Sequence, residues 1–171
     1  MNNPLYVSYH DEEWVQPLHD DQALFELLCL ETYQAGLSWE TVLNKRQAFR
    51  ESFHGYHLQG VADMTDVELE ALLDNPGIIR NRAKIFAKRC NAQAEFVSFD
   101  AYIWSFVDGK TIVNDVPDYC QAPARTPLSE KLSKDLKKRG FKFTGPVAVL
   151  SFLQAAGLVG DHENDYEWKG N

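Results

Sequence analysis

The sequence predicts an all-α protein that folds as one compact domain over residues 1–171, divided into two lobes at most. Apolar residues recur at helical spacing, capping residues precede these segments, and glycines follow them. The alternation of apolar and polar residues that is typical of strands is scarce. With 171 residues, of which 44% are hydrophobic, the chain can bury one core but would leave two separate domains near the lower size limit.

Capping residues set the expected helix boundaries. Asp20 and Ser38 are placed to cap the first two helices, and Thr65 with Glu68 forms a capping-box pattern. Helices are expected over about 21–35, 39–53, 66–74, 79–96, 99–107, 127–139 and 146–156. Residues 108–127 hold three of the seven prolines, which predicts a loop.

Composition limits the setting of the protein. No apolar run reaches the ~18 residues of a membrane span, and the N-terminus has no basic and then apolar signal segment. Three cysteines, Cys29, Cys90 and Cys120, are too few and too widely spaced for a disulfide scaffold. We therefore expect a cytoplasmic protein with no membrane partner.

The charge of the chain is unevenly distributed. A net charge of −8 and a pI near 5.1 argue against a nucleic-acid partner. However, residues 80–89 hold five basic residues and no acid, and residues 131–142 hold six basic residues and one acid. Such polarisation favours an anionic partner at these segments, although two solvated helix faces would give the same pattern.

Glu31 has an unusual position in the first predicted helix. At 100° per residue it falls within the apolar stripe of Leu24, Leu27 and Leu28, whereas Glu26 falls on the polar side. A carboxylate on such a stripe is costly unless it is paired or hydrogen-bonded. This position predicts a ligand pocket; a buried ion pair, or a helix end that reaches solvent, is the alternative.

Aromatic residues cluster near the N-terminus, where Tyr6, Tyr9 and Trp14 accompany His10. Aromatic rings and one carboxylate suit a flat cationic ligand, because the rings contact its face and the carboxylate accepts its N–H groups. Packing of the same rings in the core is the alternative.

Residues 65–96 predict two helices joined by a tight turn, a helix–hairpin–helix. Gly77 supplies the backbone freedom that the turn needs, and free amides at the start of the second helix can bind an anion. Arg80, Arg82 and Lys84 would surround that anion. The pattern therefore predicts a clamp for DNA phosphate.

Four segments resemble the 3-methyladenine DNA glycosylase I (Tag) family: YVSYHDEEW at 6–14, LETYQAGLSWETVLNKR at 30–46, PGIIRNRAKI at 76–85 and LKKRGFKFTG at 136–145. The resemblance covers about residues 4–162. It implies a helix–hairpin–helix glycosylase fold and a monofunctional enzyme that excises 3-methyladenine from alkylated double-stranded DNA. It also implies that Glu31 is the catalytic residue and that Tyr6, Tyr9, Trp14 and Trp39 bind the base.

The implied reaction depends more on selecting the methylated base than on general-acid catalysis. Methylation at N3 makes the base cationic in the nucleotide, so it is already an activated leaving group. The base must leave the duplex, and we expect Gln34 and Leu37, on the turn after the first helix, to fill the gap. The expected partners are alkylated DNA and the free 3-methyladenine product, and a monomer is expected.

The zinc site of this family is incomplete in the sequence. Family members hold a structural zinc with two cysteines and two histidines, of which this chain keeps His10 and His162. Tyr166 stands where the second cysteine is expected, and no cysteine precedes Cys29. Because structural zinc is usually four-coordinate, we expect no metal and no cofactor, with the two histidines close together.

Two other functions are compatible with these residues. One is a non-catalytic helix–hairpin–helix module that binds DNA, with the aromatic rings in its core. The other is a protein that binds adenine-like bases without DNA. The position of Glu31 disfavours the first, and the basic hairpin disfavours the second.

Overall fold

The computed structural model describes residues 3–13, 17–34, 37–94, 96–114 and 123–160, apart from the side chains of Tyr6 and His10. Within these residues the chain forms ten α-helices and two short strands. They are α1 Pro4–Ser8, α2 Asp21–Tyr33, α3 Trp39–Asn44, α4 Arg46–Ser52, α5 Leu58–Ala62, α6 Asp66–Ala71, α7 Arg82–Ala92, α8 Phe99–Ser105, β1 Ile112–Val113, α9 Pro127–Lys138, α10 Pro146–Ala155 and β2 Val159–Gly160. The predicted all-α class is confirmed.

Side-chain caps fix the helix starts where the sequence predicts them. The Asp20 carboxylate accepts the amide of Ala23 at 2.7 Å, and Thr65 and Glu68 form a complete capping box before α6. Thr126 likewise caps α9, whose first residue is Pro127. These contacts satisfy amides that the helical ladder leaves free, so the starts are set locally.

Two predicted helices are shorter or divided in the structure. The helix expected over 39–53 is broken at Lys45 into α3 and α4. The helix expected from residue 79 begins only at Arg82, because the side chain of Asn81 accepts the amide of Lys84 at 3.1 Å and so acts as the N-cap. Apolar periodicity continues through both positions and does not reveal them.

A minimal parallel sheet was not predicted. Ile112 pairs with Val159 and Val113 with Gly160, and the amide of Ile112 donates to the carbonyl of Leu158 at 2.8 Å. Strands of two residues are too short to show alternation, so the sequence carries no signal for them.

Helix α2 lies at the centre of the fold and packs against α7, α8 and α10. Every residue from Leu24 to Tyr33 is buried. The predicted apolar stripe is therefore only part of the buried surface, and Glu26, expected on a polar side, is 6% exposed. Neighbouring helices cover all sides of α2, which helical periodicity alone does not predict. Among the described helices, none has the length and apolar composition needed to cross a membrane.

The hairpin between α6 and α7 is docked on α4. A 3-10 turn, Leu72–Asp74, continues α6, and the Asn75 side chain then accepts the amide of Gly77 at 2.8 Å and donates to Ser52 at 3.1 Å. Gly77 does not have a positive φ, so the expected need for backbone freedom is wrong. A Cβ at this residue would lie 3.1 Å from the Cβ of Ala48, and the glycine is needed for close approach.

We predict that Gly77→Ala lowers the free energy of unfolding by about 1–3 kcal/mol, because the new methyl group overpacks the contact with α4. The control is the same substitution in an Ala48→Gly background, where the opposing methyl group is missing. Urea denaturation of the four proteins gives the coupling between the two residues. Equal costs of Gly77→Ala in both backgrounds would contradict the steric explanation.

Candidate active site

Glu31 is a buried carboxyl group without a counter-charge in the part of the chain that the structure describes. It is 5% exposed, and its Oε2 atom has no hydrogen-bond partner among the described residues. Burial raises the pKa of Glu31 to about 8, because the apolar surroundings disfavour the charged form. The predicted burial of an unpaired carboxyl group is confirmed, and the ion-pair alternative is excluded within the described structure.

Glu26 lies five residues earlier on the same helix and has the opposite environment. Its carboxylate accepts hydrogen bonds from Arg46 at 2.9 Å and from Arg50 at 2.8 Å. These guanidinium groups hold the pKa of Glu26 below its usual value despite its burial, which acts in the opposite direction. Glu26 therefore has a structural role in joining α2 to α4.

The same ion cluster holds the N-terminal aromatic turn. Arg46 donates a further hydrogen bond to Glu13 at 2.8 Å, and Glu13 ends the π-helical turn Tyr9–Glu13. Asn3 donates to Glu40 at 2.6 Å, which ties the start of α1 to α3. The turn that carries Tyr9 is thus fixed to α3 and α4.

Tyr9 and Trp39 are brought together although 30 residues separate them. Their ring centroids are 5.3 Å apart with an interplanar angle of 53°, and the Nε1 atom of Trp39 is buried without a hydrogen-bond acceptor among the described residues. A cavity of about 250 Å³ opens beside Tyr9 and Leu27, one helical turn before Glu31. The side chain of Tyr6 and all of Trp14 lie outside the described residues.

Tyr33 was assigned no role from the sequence. Its ring is fully buried, 4.6 Å from the ring of Phe49, and its hydroxyl group is buried without a partner among the described residues. The only sequence signal is its place within the segment 30–46, because helical periodicity directs it away from Glu31. Two buried polar side chains at the end of α2 thus have unused hydrogen-bonding capacity.

The turn after α2 carries the two residues expected to fill a gap in DNA. Gln34 is half-buried, and its backbone amide donates to the backbone carbonyl of Glu31 at 3.2 Å. Leu37 is 39% exposed. The Leu37 amide donates to the carbonyl of Gln34 at 2.8 Å. The structure therefore places an exposed leucine three residues after the C-cap of the helix that carries Glu31.

The three hairpin cations differ in their surroundings. Arg80 is exposed, and no carboxylate lies within ion-pair distance of it among the described residues. Arg82 forms an ion pair with Glu70 and lies 4.4 Å from the ring centroid of Phe86. The ammonium group of Lys84 lies 5.9 Å from the Tyr33 ring. The three cations therefore do not form one symmetrical cluster. The ion pair of Arg82 with Glu70 is exposed and hence weak.

Lys88 belongs to the basic segment of the sequence but not to the surface. It is 1% exposed and donates to the hydroxyl group of Tyr56 at 2.7 Å. Its ammonium group also lies 4.0–4.8 Å from four ring centroids, those of Tyr33, Phe49, Phe53 and Tyr56. Lys88 therefore contributes neither to the predicted anion-binding surface at residues 80–89 nor to a solvated helix face. Arg89 is also engaged, by Asp66 at 2.7 Å.

The residues that remain of the family zinc site, the His10 side chain and His162, lie outside the described residues. Cys29 is buried on α2 and Cys90 lies on α7, where its thiol contacts the carbonyl of Gly140. No group of three or more potential ligands occurs among the described side chains. The donor set present in the sequence does not fit a four-coordinate site, and no step of the chemistry below uses a metal.

An all-helical fold with a buried carboxyl group that has no partner among the described residues, one helical turn beyond a cavity lined by Tyr9 and Leu27, has the features of an enzyme that binds a nucleobase. The sequence matches the model of the methyladenine glycosylase family over residues 1–168. The chain belongs to the methyladenine glycosylase family. The resemblance identified from the sequence is therefore confirmed.

Individual relatives agree with this assignment. The DNA-3-methyladenine glycosylase of Haemophilus influenzae is 49% identical, and the match covers 94% of this chain and 90% of that protein. DNA-3-methyladenine glycosylase 1 of Escherichia coli is 46% identical, with 94% and 89% covered. A crystal structure of a 3-methyladenine DNA glycosylase I variant in complex with 3-methyladenine has a TM-score of 0.96 and 40% identity, and covers 100% of this chain and 95% of that one. These relatives are enzymes, so the non-catalytic alternative is set aside.

We predict that the buried Lys88 makes folding stability depend on pH in the alkaline range. Burial lowers the pKa of Lys88 from 10.5 to about 7, so the unfolded chain binds more protons than the folded chain between these values. Stability conferred through Lys88 therefore rises with pH across this window. Lys88→Met removes this dependence. Between pH 7 and 10 the Tm of wild type should therefore rise relative to the Tm of the variant.

The comparison is made on the pH slope, because the variant also leaves the Tyr56 hydroxyl group without its donor at every pH. Thermal denaturation of both proteins from pH 5 to 10 should give a constant difference below pH 7. Parallel curves across the whole range would show that Lys88 titrates as an exposed lysine does.

Proposed function

We propose that a site at Glu31, one helical turn beyond the cavity lined by Tyr9 and Leu27, receives 3-methyladenine after it has been flipped out of alkylated double-stranded DNA, and that the chain hydrolyses the N-glycosidic bond of that nucleotide. DNA-3-methyladenine glycosylase is the activity of this family and of the relatives described above. The observation that carries the proposal is the buried carboxyl group of Glu31, which has no counter-charge among the described residues.

The positive charge of the methylated base would balance the negative charge of ionised Glu31. A 3-methyladenine base still attached to its sugar is positively charged, and Glu31 in the ionised form would supply the opposite charge. Pairing would offset the desolvation that keeps the pKa of the free carboxyl group near 8. The carboxylate would also accept N–H groups of the adenine edge, which gives Glu31 its catalytic role in binding and orienting the reacting base.

Aromatic faces add selection for positive charge. The rings of Tyr9, which lines the cavity, and Trp39 stand 5.3 Å apart, and the face of an aromatic ring attracts a cation by about 0.5–2 kcal/mol. The unpaired Nε1 donor of Trp39 would bind an acceptor on the base or sugar. A wrong base that leaves such buried groups unpaired loses about 1–3 kcal/mol for each of them.

Removal of the base from the duplex leaves a gap, which the side chain of Leu37 would fill. An exposed apolar side chain at a tight turn gains by entering a base stack, because this removes it from water. Gln34, half-buried beside it, would bind the edge of the facing nucleotide. Base extrusion costs a few kcal/mol, and such contacts offset part of that cost.

Phosphate binding is assigned to the hairpin. The first-turn amides of Arg82 and Ala83 have no acceptor among the described residues, because the Asn81 cap is used by Lys84. Helix N-termini bind anions through such amides. Arg80 and Lys84 would add positive charge, Gly77 would let the backbone approach closely, and Arg82 would exchange Glu70 for phosphate.

The remaining proposals concern the assembly and setting of the enzyme. It would act as a monomer in the cytoplasm and release free 3-methyladenine as its product. It would need no cofactor, because the activated leaving group departs without an added Lewis acid. The histidines of the incomplete zinc site would join the chain termini without metal.

We predict that Glu31→Gln lowers both the excision of 3-methyladenine and the affinity for the free base, since one acceptor oxygen becomes a donor. Binding of undamaged DNA should stay at the wild-type level. Stability should hold or rise, and the gain should grow from pH 4.5 to 8, because wild-type Glu31 must stay protonated to avoid a buried charge. Chromatography of bases released from methylated DNA, with calorimetric titration of 3-methyladenine, measures these effects.

Glu26→Gln is the matched control on the same helix. It breaks a paired carboxylate, so Tm should fall by several degrees, whereas affinity for 3-methyladenine should fall less than in Glu31→Gln, because Arg46 still holds Glu13. A Glu31→Gln variant that is destabilised but binds 3-methyladenine normally would defeat the proposed function.

We also predict that Arg80→Ala and Lys84→Ala weaken binding of all duplex sequences about equally, because phosphate contacts carry no sequence information. Each lost contact should reduce the slope of log K against log salt by about 0.9. The exposed Lys110, at the turn before β1, gives the control variant Lys110→Ala. Unchanged salt slopes for both hairpin variants would remove the hairpin from the interface.

A further inference from the structure

The turn between α9 and α10 holds an exposed aromatic side chain in an unfavourable backbone conformation. Phe143 has a φ of 61° and is 45% exposed. A bulky residue in the left-handed region is strained, and here the strain is not compensated by burial of the ring. A residue that served only the fold at this position would be glycine or asparagine.

Buried side chains impose this conformation from both sides. Asn91, which is 4% exposed on α7, accepts the amide of Lys142 at 2.8 Å and donates to the Lys142 carbonyl at 3.2 Å. Ser133, which is 2% exposed on α9, donates to the carbonyl of Thr144 at 2.6 Å. Phe143 thus lies between two residues, Lys142 and Thr144, whose backbones are hydrogen-bonded to buried side chains. These bonds fix the backbone of Phe143 while its ring remains exposed to solvent.

Two positively charged side chains, those of Lys84 and Lys142, accompany this ring. The ammonium group of Lys84 lies 6.0 Å from the ring centroid of Phe143, and Lys142 is exposed directly before it in the chain. No carboxylate lies within ion-pair distance of either lysine among the described residues. The nearest acid of α9, Asp135, is engaged by Arg139 at 3.0 Å and by the hydroxyl group of Tyr102. An exposed ring with one lysine ammonium group 6.0 Å from its centroid and a second lysine directly before it in the chain suits a ligand with both flat and anionic parts.

Lys84 connects this surface to the site. Its ammonium group lies between the rings of Phe143 and Tyr33, 6.0 and 5.9 Å from their centroids. Tyr33 is the last residue of α2, two residues after Glu31 and immediately before Gln34. The exposed ring is therefore linked through Lys84 to the end of α2, and in the proposed function the nucleotide strand passes this end to deliver a base to Glu31.

We propose that Phe143, with Lys84 and Lys142, forms a second contact with the damaged DNA strand, outside the base cavity. The ring stacks on a base next to the extruded nucleotide, and the two ammonium groups neutralise the phosphates on either side of it. Stacking on aromatic side chains tolerates any base, which suits an enzyme that must find damage in every sequence. This proposal rests on the proposed function, since it requires DNA as the ligand.

The test uses Phe143→Asn in the full chain. Asparagine tolerates the left-handed region, so Tm should be equal to or above that of wild type, whereas loss of a structural contact would lower it. Affinity for a duplex with a tetrahydrofuran abasic analogue, which lacks the base, should fall about tenfold. Affinity for free 3-methyladenine should be unchanged. Val97→Asn, at a fully exposed apolar side chain elsewhere in the chain, is the control and should keep wild-type DNA affinity.

Lys142→Gln tests the contribution of the lysine charge separately from that of the Phe143 ring. It should reduce the salt slope of DNA binding by about 0.9, whereas Phe143→Asn should leave that slope unchanged. The proposal is overturned if Phe143→Asn binds the abasic duplex as wild type does, or if it loses affinity for the free base to the same extent. Wild-type protein that releases no 3-methyladenine from methylated DNA would instead refute the proposed function.

Discussion

Burial of α2 from Leu24 to Tyr33 determines how the surrounding elements are arranged. The buried part of the helix carries two carboxyl groups, five residues apart, and both are withdrawn from water. An interior carboxylate must be paired with a cation, be protonated, or await a ligand. Glu26 takes the first solution, with Arg46 and Arg50, and free Glu31 takes the second.

The paired carboxylate organises the elements that surround the unpaired one. Through Arg46, Glu26 is linked to Glu13 and hence to the turn that carries Tyr9. The aromatic ring is thereby held next to Trp39 before any ligand is present. A site whose rings and polar atoms are already in place loses little conformational entropy on binding. The polar groups without a partner among the described residues lower the stability of the free protein, and in the proposed function they regain hydrogen bonds with the base.

Tertiary pairing changes the electrostatic picture given by the sequence. The basic segment 80–89 contains five cations, but Lys88 is buried among aromatic rings, and Arg82 and Arg89 are paired with acids. Arg80 and Lys84 remain as cations without a carboxylate partner among the described residues of that segment. A chain with a net charge of −8 thus presents a small positive region near the end of α2, which favours approach of an anionic strand from that side.

The sequence by itself determined the helical class, most helix starts and the family. Caps such as Asp20 and Thr65 act within one turn, and apolar periodicity reports one face of a helix, so both can be read locally. It also marked Glu31 as misplaced on an apolar stripe. Only the tertiary structure decided that Glu26 is paired, that Lys88 is buried and that Gly77 is needed for space. These outcomes depend on Arg46, Tyr56 and Ala48, which lie 20 or more residues away in the chain. Contacts at that separation are set by how helices pack, and no local pattern encodes them.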